Sequence, residues 1–300
     1  MKKVLTILLS LAVVFAVAQQ RTENMKPITH DPAACPSLLF TPVDNVVTTP
    51  SDLVESILGA DIQSYSNVVF AGRTGNPLAS AGLFTGGTDA GLGIEEGIVL
   101  SCGLITNATG PNSADGISAG NGLPGDADLT AYASQSTFDA TVLAFDFVPN
   151  FDDLYIQFVF GSEEYTEWID SYNDVFAFFL NGSNIALVPG TSDPVSINTI
   201  NPGDNPAYYK NNESFPGPFC NEMDGFTTVM VAQGNVTAGN TNHIKLAIAD
   251  GGDSALDSWV FIKAEGFSGV DPEIPVSNWA LFIGIGLILV FAIIRFRRLV

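Results

Sequence analysis

The stretch Phe158 to Gly182, FVFGSEEYTEWIDSYNDVFAFFLNG, decides the fold. It begins inside a strand, Leu154 to Phe160. There Leu154, Ile156, Phe158 and Phe160 share one face by the two-residue period of an extended chain. Gly161 breaks that strand, and a loop carrying Glu163, Glu164, Glu167, Asp170 and Asp174 follows. Val175 to Leu180 is apolar at every position, the pattern of a central strand covered on both faces. Asn181-Gly182 is a strong two-residue hairpin signal, with Ile185 to Val188 expected to return beyond it. Two core strands therefore hold an acidic loop between them, and specific chemistry is expected there.

Outward from this stretch, the same grammar repeats. Val68–Ala71, Ile98–Ser101, Val142–Val148, Thr227–Ala232, His243–Ala249 and Trp259–Ala264 read as strands, each bounded by Gly, Asn, Asp or Pro. One helix is expected. Thr49 is placed to cap it, Pro50 fits its first turn, Asp52 completes a T-x-x-D box and Gly59 ends it. Leu53, Val54, Ile57 and Leu58 make its apolar stripe. Residues 106–136, rich in Gly, Asn, Ser and Asp, read as one long surface loop, a length that points to binding or mobility. Many strands, one short helix and turn-rich links predict a mainly β chain with a single β-sandwich or jelly-roll-like extracellular domain over 46–268.

The ends differ from the body. Lys2-Lys3, the apolar run Val4–Val17 and Ala16-Val17-Ala18 read as a signal peptide over 1–18, followed by a loose entry segment at 19–45. Residues 269–278 form a Pro-containing linker. The apolar run 279–294 reads as a transmembrane or sorting segment, and 295–300 as a basic cytoplasmic tail. Trp279 suits the outer interface, and Arg295, Arg297 and Arg298 obey the positive-inside rule, so the body faces outward. The expected location is the cell envelope, the cell surface or the medium.

Charge excludes one class of partner. The chain has 32 acidic and 11 basic residues, and between Thr22 and Asn278 the only basic side chains besides His30 and His243 are Lys26, Arg73, Lys210, Lys245 and Lys263. Such a body repels phosphate backbones, which argues against nucleic acid. Three cysteines, Cys35, Cys102 and Cys220, allow at most one internal bridge, and their spacing leaves the pairing open.

The body resembles the choice-of-anchor L domain of bacterial surface proteins. The segments that carry the resemblance are Gly97–Ser101, Phe138–Ala140 with Leu143–Pro149, Phe158–Tyr165, Asn173–Phe179 and Asp257–Ile262. The C-terminal Ile274, Pro275, Val276, Ser277, Asn278 and Trp279, with the apolar run and the arginines, resembles sorting tags read by exosortase-type machinery. The resemblance implies a surface or secreted role and a sorting protease or transpeptidase as partner, besides the membrane; it brings no established activity. Cys102 and Cys220 lie outside the family pattern.

For chemistry, the histidines sit in no triad-like or H-E-x-x-H context, so no catalytic residue is assigned. A carboxylate-dependent hydrolase built on Glu163-Glu164 is one alternative, weakened because adjacent residues point apart. Calcium is the sharper expectation, since the ion takes six to eight oxygens from loops. Glu163, Glu164 and Asp174 flank one loop and Asp250, Asp253 and Asp257 another, and adjoining hairpins would bring them together. Turn capping by Asp is the ordinary alternative. Tyr165, Trp168 and Tyr172 beside the acidic loop could stack on a sugar, which gives the lectin-like alternative. The leading expectation is a non-catalytic surface module for adhesion or matrix building, with an unknown surface ligand.

Overall fold

The computed structural model describes Cys35 and residues 38–272. The signal peptide, the sorting tag and the segment 279–294 lie outside the described residues. Among those that are described, no helix is long and apolar enough to cross a membrane.

The strands are β1 (Leu39–Pro42), β2 (Ile62–Ala71), β3 (Ala81–Thr85), β4 (Glu96–Ser101), β5 (Thr137–Pro149), β6 (Asp153–Ser162) and β7 (Val175–Leu180). They continue as β8 (Ser183–Asn184), β9 (Tyr209–Asn211), β10 (Gly225–Thr227), β11 (Met230–Asn235), β12 (Asn242–Gly251) and β13 (Ser258–Lys263). One sheet runs β1-β3-β4-β13-β6-β10-β9, with β11 also paired to β6; the other runs β2-β5-β12-β7-β8. Every ladder is antiparallel. The result is a mainly β chain of two open sheets packed face to face.

Alternation explains which side chains fill the space between the sheets. Ile98, Leu100, Leu154, Ile156, Phe158, Phe160, Val260 and Ile262 come from one inner face, and Leu143, Phe145, Phe147, Phe176, Phe178, Ile244, Leu246 and Ile248 from the other. Phe158 stands edge-on to both Phe176 and Phe178, at 5.3 and 5.1 Å. The outer faces are covered as well. Val99, Val159, Trp259 and Phe261 pack under loop residues such as Leu92 and Phe219. Ala177, Phe179, Ala247 and Ala249 pack under α2 (Ala127–Ala133). This double cover is why all six residues of β7 are apolar and buried.

The expected helix is α1 (Pro50–Ile57), where Thr49 donates both its N–H and its hydroxyl to the Asp52 carboxylate, each at 2.7 Å. Asn181 and Gly182 both take positive φ, as a type I′ turn requires.

Five expectations need correction. First, the sequence predicts a single helix, yet 106–136 also contains α2; Asp126 caps it by accepting from the Asp128 and Leu129 amides. Its buried stripe is only Leu129 and Ala133, too short for periodicity to reveal. Second, the entry segment 19–45 is not loose throughout, because β1 adds to the edge of a sheet through β3. Third, the return strand beyond the turn is only Ser183–Asn184, and the Asn184 side chain then bonds the Phe178 and Ala186 amides in place of a ladder. Fourth, Thr227–Ala232 splits into β10 and β11, where the Thr227 hydroxyl accepts from the Phe160 amide. Fifth, the sheets hold eight and five strands, so the jelly-roll expectation holds only as a two-sheet sandwich.

The cysteine pairing also resolves. Cys35 and Cys220 form a disulfide across 185 positions, with Cα atoms 5.3 Å apart, and Cys102 is a buried free thiol. A bridge of this kind suits an oxidising, extracytoplasmic compartment.

Candidate functional site

Register brings the acidic residues together. Ser258 pairs with Ser162, Trp259 with Ser101, Ala249 with Val175 and Gly251 with Thr137. The ends of β4, β6 and β12 and the starts of β5, β7 and β13 therefore lie at one end of the sandwich. Two of the links that cross between the sheets, 163–174 and 252–257, close that end. Five of the six predicted ligands, Glu163, Glu164, Asp174, Asp250 and Asp257, are buried there, each at most 3% exposed.

They do not form one cage. Cys102, Asp174 and Asp250 have ligand atoms within 4.8 Å of one another. Asp174 Oδ1 accepts from the Gly251 amide at 3.0 Å, and Oδ2 from the Ser258 hydroxyl at 2.7 Å and the Cys102 thiol at 3.7 Å. Glu164 joins this pocket by accepting from the Asp174 amide at 3.3 Å. Asp250 Oδ1 is buried without a partner. Burial raises the pKa values of Glu164, Asp174 and Asp250; the Asp174 charge adds to it at Glu164 and Asp250, and the Asp257 charge at Asp174. Burial and the neighbouring aspartates also hold the Cys102 thiol well above its ordinary value, so it sits here as a neutral thiol.

Glu163 turns the other way. Its Oε2 accepts from the Ile117 amide at 2.9 Å, while Oε1 is buried and unpartnered. Burial, then the charge of Asp224, pushes its pKa up to about 9. Asp257 is occupied differently again, taking the Ala119 amide at 2.9 Å and the Asn107 side chain at 3.2 Å; burial raises its pKa to about 6. Asp253 is not part of either pocket. It is only partly buried and accepts from the Ala255 amide two residues on, a local Asx turn.

The segment 106–136 is a strap over these groups. Its backbone amides at Ile117, Ala119, Asn121 and Leu123 donate to Glu163, Asp257 and Asp139. Carboxylates from the strand ends thus replace the hydrogen-bonding ladder that a Gly-rich segment cannot make. None of the five buried carboxylates shares an ion pair among the described residues, whose ion pairs are His243–Asp146 and Lys245 with Asp126 and Asp128.

The aromatic group also separates. Tyr165 is fully buried, donates its hydroxyl to the Ile200 carbonyl at 2.7 Å and packs against Tyr209, so it cannot stack on an external ligand. Trp168 is 41% exposed and meets Tyr172 edge-on at 5.4 Å. Sequence reasoning missed Cys102, Asn112, Asp139, Asp224 and Ser258. For Cys102 and Ser258 the signal was their position at strand ends opening onto the acidic links. Asn112 and Asp224 gave no local signal.

A family model described as the choice-of-anchor L domain matches residues 42–268. No curated protein and no solved structure matches the chain.

Proposed function

The chain belongs to the choice-of-anchor L domain family, and on that premise we propose that it is an exported surface module for adhesion or matrix building, stiffened by calcium at the sandwich end. Membership implies a cell-surface or extracellular protein, and the disulfide fits that setting. The calcium reading rests on one observation: Glu164, Asp174 and Asp250 are buried together, one carboxylate oxygen of Asp250 lacks a partner, and none of the three shares an ion pair among the described residues. Buried carboxylates without a partner charge must take up protons or bind a cation. A divalent ion coordinated there would tie the β6–β7 link to the end of β12. Adhesion is tested with beads carrying the purified body. Attachment to host cells or matrix that is abolished by chelation and restored by calcium is the expected result; attachment indifferent to calcium sinks the calcium part, and no attachment at all sinks the adhesive part.

A carbohydrate-binding reading is the second, because Trp168 exposes a large aromatic surface beside an acidic loop. Saturable binding to one glycan class on an array, lost in Trp168→Ala, would favour it over the first.

A further inference from the structure

We propose a second cation site, separate from the Glu164–Asp174–Asp250 pocket, made by Asn112, Glu163 and Asp224 and selective for calcium. In the β6–β10 ladder Gly225 pairs with Ser162 and Phe226 with Gly161. Extending that register by one step sets Asp224 beside Glu163, and the Asp224 charge acts on Glu163. Directly opposed side chains in an antiparallel pair lie about 5 Å apart at Cβ, so two carboxylates face each other here. Both residues are 1% exposed.

Asn112, from the strap, closes the arrangement. It is fully buried and donates from Nδ2 to Asp224 Oδ1 at 2.6 Å and to the Asn212 carbonyl at 3.0 Å. That leaves three buried oxygens without a hydrogen-bond partner: Asn112 Oδ1, Glu163 Oε1 and Asp224 Oδ2. Glu213 Oε1 is also without a partner, and its charge is felt by Asp224, but it stands outside this set. Orphaned buried polar atoms are rare, and these three are acceptors; the Tyr209 hydroxyl, on which the Asp224 charge acts, is likewise without a partner. A single donor would serve one or two of them, whereas one cation can be shared by all three. Among the described residues, no cationic side chain does so. Lys210 directs its ammonium to the Gly91 carbonyl at 2.8 Å and lies over the Phe219 and Phe226 rings.

The donor set selects the metal. All three are hard oxygens, one from a neutral amide, with no sulfur or imidazole, which suits calcium over zinc or copper. Calcium tolerates an irregular set and completes its six to eight ligands with water. The first pocket differs in carrying the Cys102 thiol and an Asp174 whose two oxygens both already accept from protein donors. The second site does not depend on the first.

Equilibrium dialysis of the full chain in mild detergent against radiolabelled calcium tests this. The variants are Asp224→Asn, Glu163→Gln and Asp250→Asn, with melting in chelator as the folding control. Asp224→Asn and Glu163→Gln should each lose a bound calcium that Asp250→Asn retains. In chelator both should melt at or above the wild-type temperature, because each replaces a carboxyl whose ionisation burial disfavours with a neutral amide; a purely structural role for the carboxylates predicts the opposite. If Asp224→Asn does not fold, the calcium content of Glu163→Gln decides by itself. Wild-type calcium content in both variants overturns the second site. Unchanged content in Asp250→Asn speaks against the first pocket alone.

Discussion

Raising the pH of calcium-free protein from about 5 to about 8 should destabilise it. A carboxyl whose pKa is raised in the fold binds its proton more tightly there than in the unfolded chain. Its contribution is complete at acid pH, and it declines as pH climbs from the ordinary value toward the folded one. For Glu163 that window runs from 4.5 to about 9. The slope is about 1.4 kcal/mol per pH unit, so three units remove about 4 kcal/mol. Asp257, raised to about 6, adds about 1 kcal/mol over the lower part of the range. For a body of this size 1 kcal/mol corresponds to about 2–4 °C. The melting temperature in chelator should therefore fall on the order of 10 °C across the interval. Saturating calcium should flatten the slope, because the ion replaces the proton as the partner of these oxygens. Scanning calorimetry in matched buffers reads both curves. A melting temperature constant with pH in chelator would refute the buried protonated carboxyls. Parallel slopes with and without calcium would show that the ion does not bind to them.

Calcium in hundredfold excess over its dissociation constant should stabilise the fold by about 2.7 kcal/mol per site. In thermal shift assays at matched ionic strength, Asp250→Asn should lose the share of the first pocket, while Asp253→Asn and the exposed control Asp61→Asn should keep the full rise; magnesium matching calcium would defeat the idea. Removing the Cys35–Cys220 bridge frees a loop spanning 185 positions, and the chain-entropy view puts its contribution at about 5 kcal/mol. Cys35→Ser should lower the denaturant midpoint accordingly, and an unchanged midpoint would show that the bridge adds nothing. A Cβ on Gly103 would collide with the Asp257 carboxylate. Gly103→Ala should therefore release the strap, read as faster amide exchange at Ala119, whereas unaltered protection there would contradict the packing described.

Elements whose signals are local were legible from the residues alone. The α1 start is written in Thr49, Pro50 and Asp52, and the I′ turn in Asn181-Gly182, because capping and turn geometry involve residues a few positions apart. The unbroken apolar run of β7 announced burial on both faces, since a strand with one face in water would alternate with polar residues. That an acidic site would gather between β6 and β7 followed from the same stretch, and so did the opposite directions of Glu163 and Glu164.

The division of that site into pockets was a matter of register and strand order, which no short window contains. Asp224 meets Glu163 only because β10 pairs with β6 from Gly225 and Ser162 outward, across more than sixty positions of sequence. Asn112 reaches them only because the strap is drawn down by the carboxylates it covers. Asp253 has the same chemistry as Asp250 three residues away, yet its side chain bonds its own turn while that of Asp250 faces Cys102 and Asp174. Side-chain type was legible in the sequence; which oxygens are left without a donor was decided by packing.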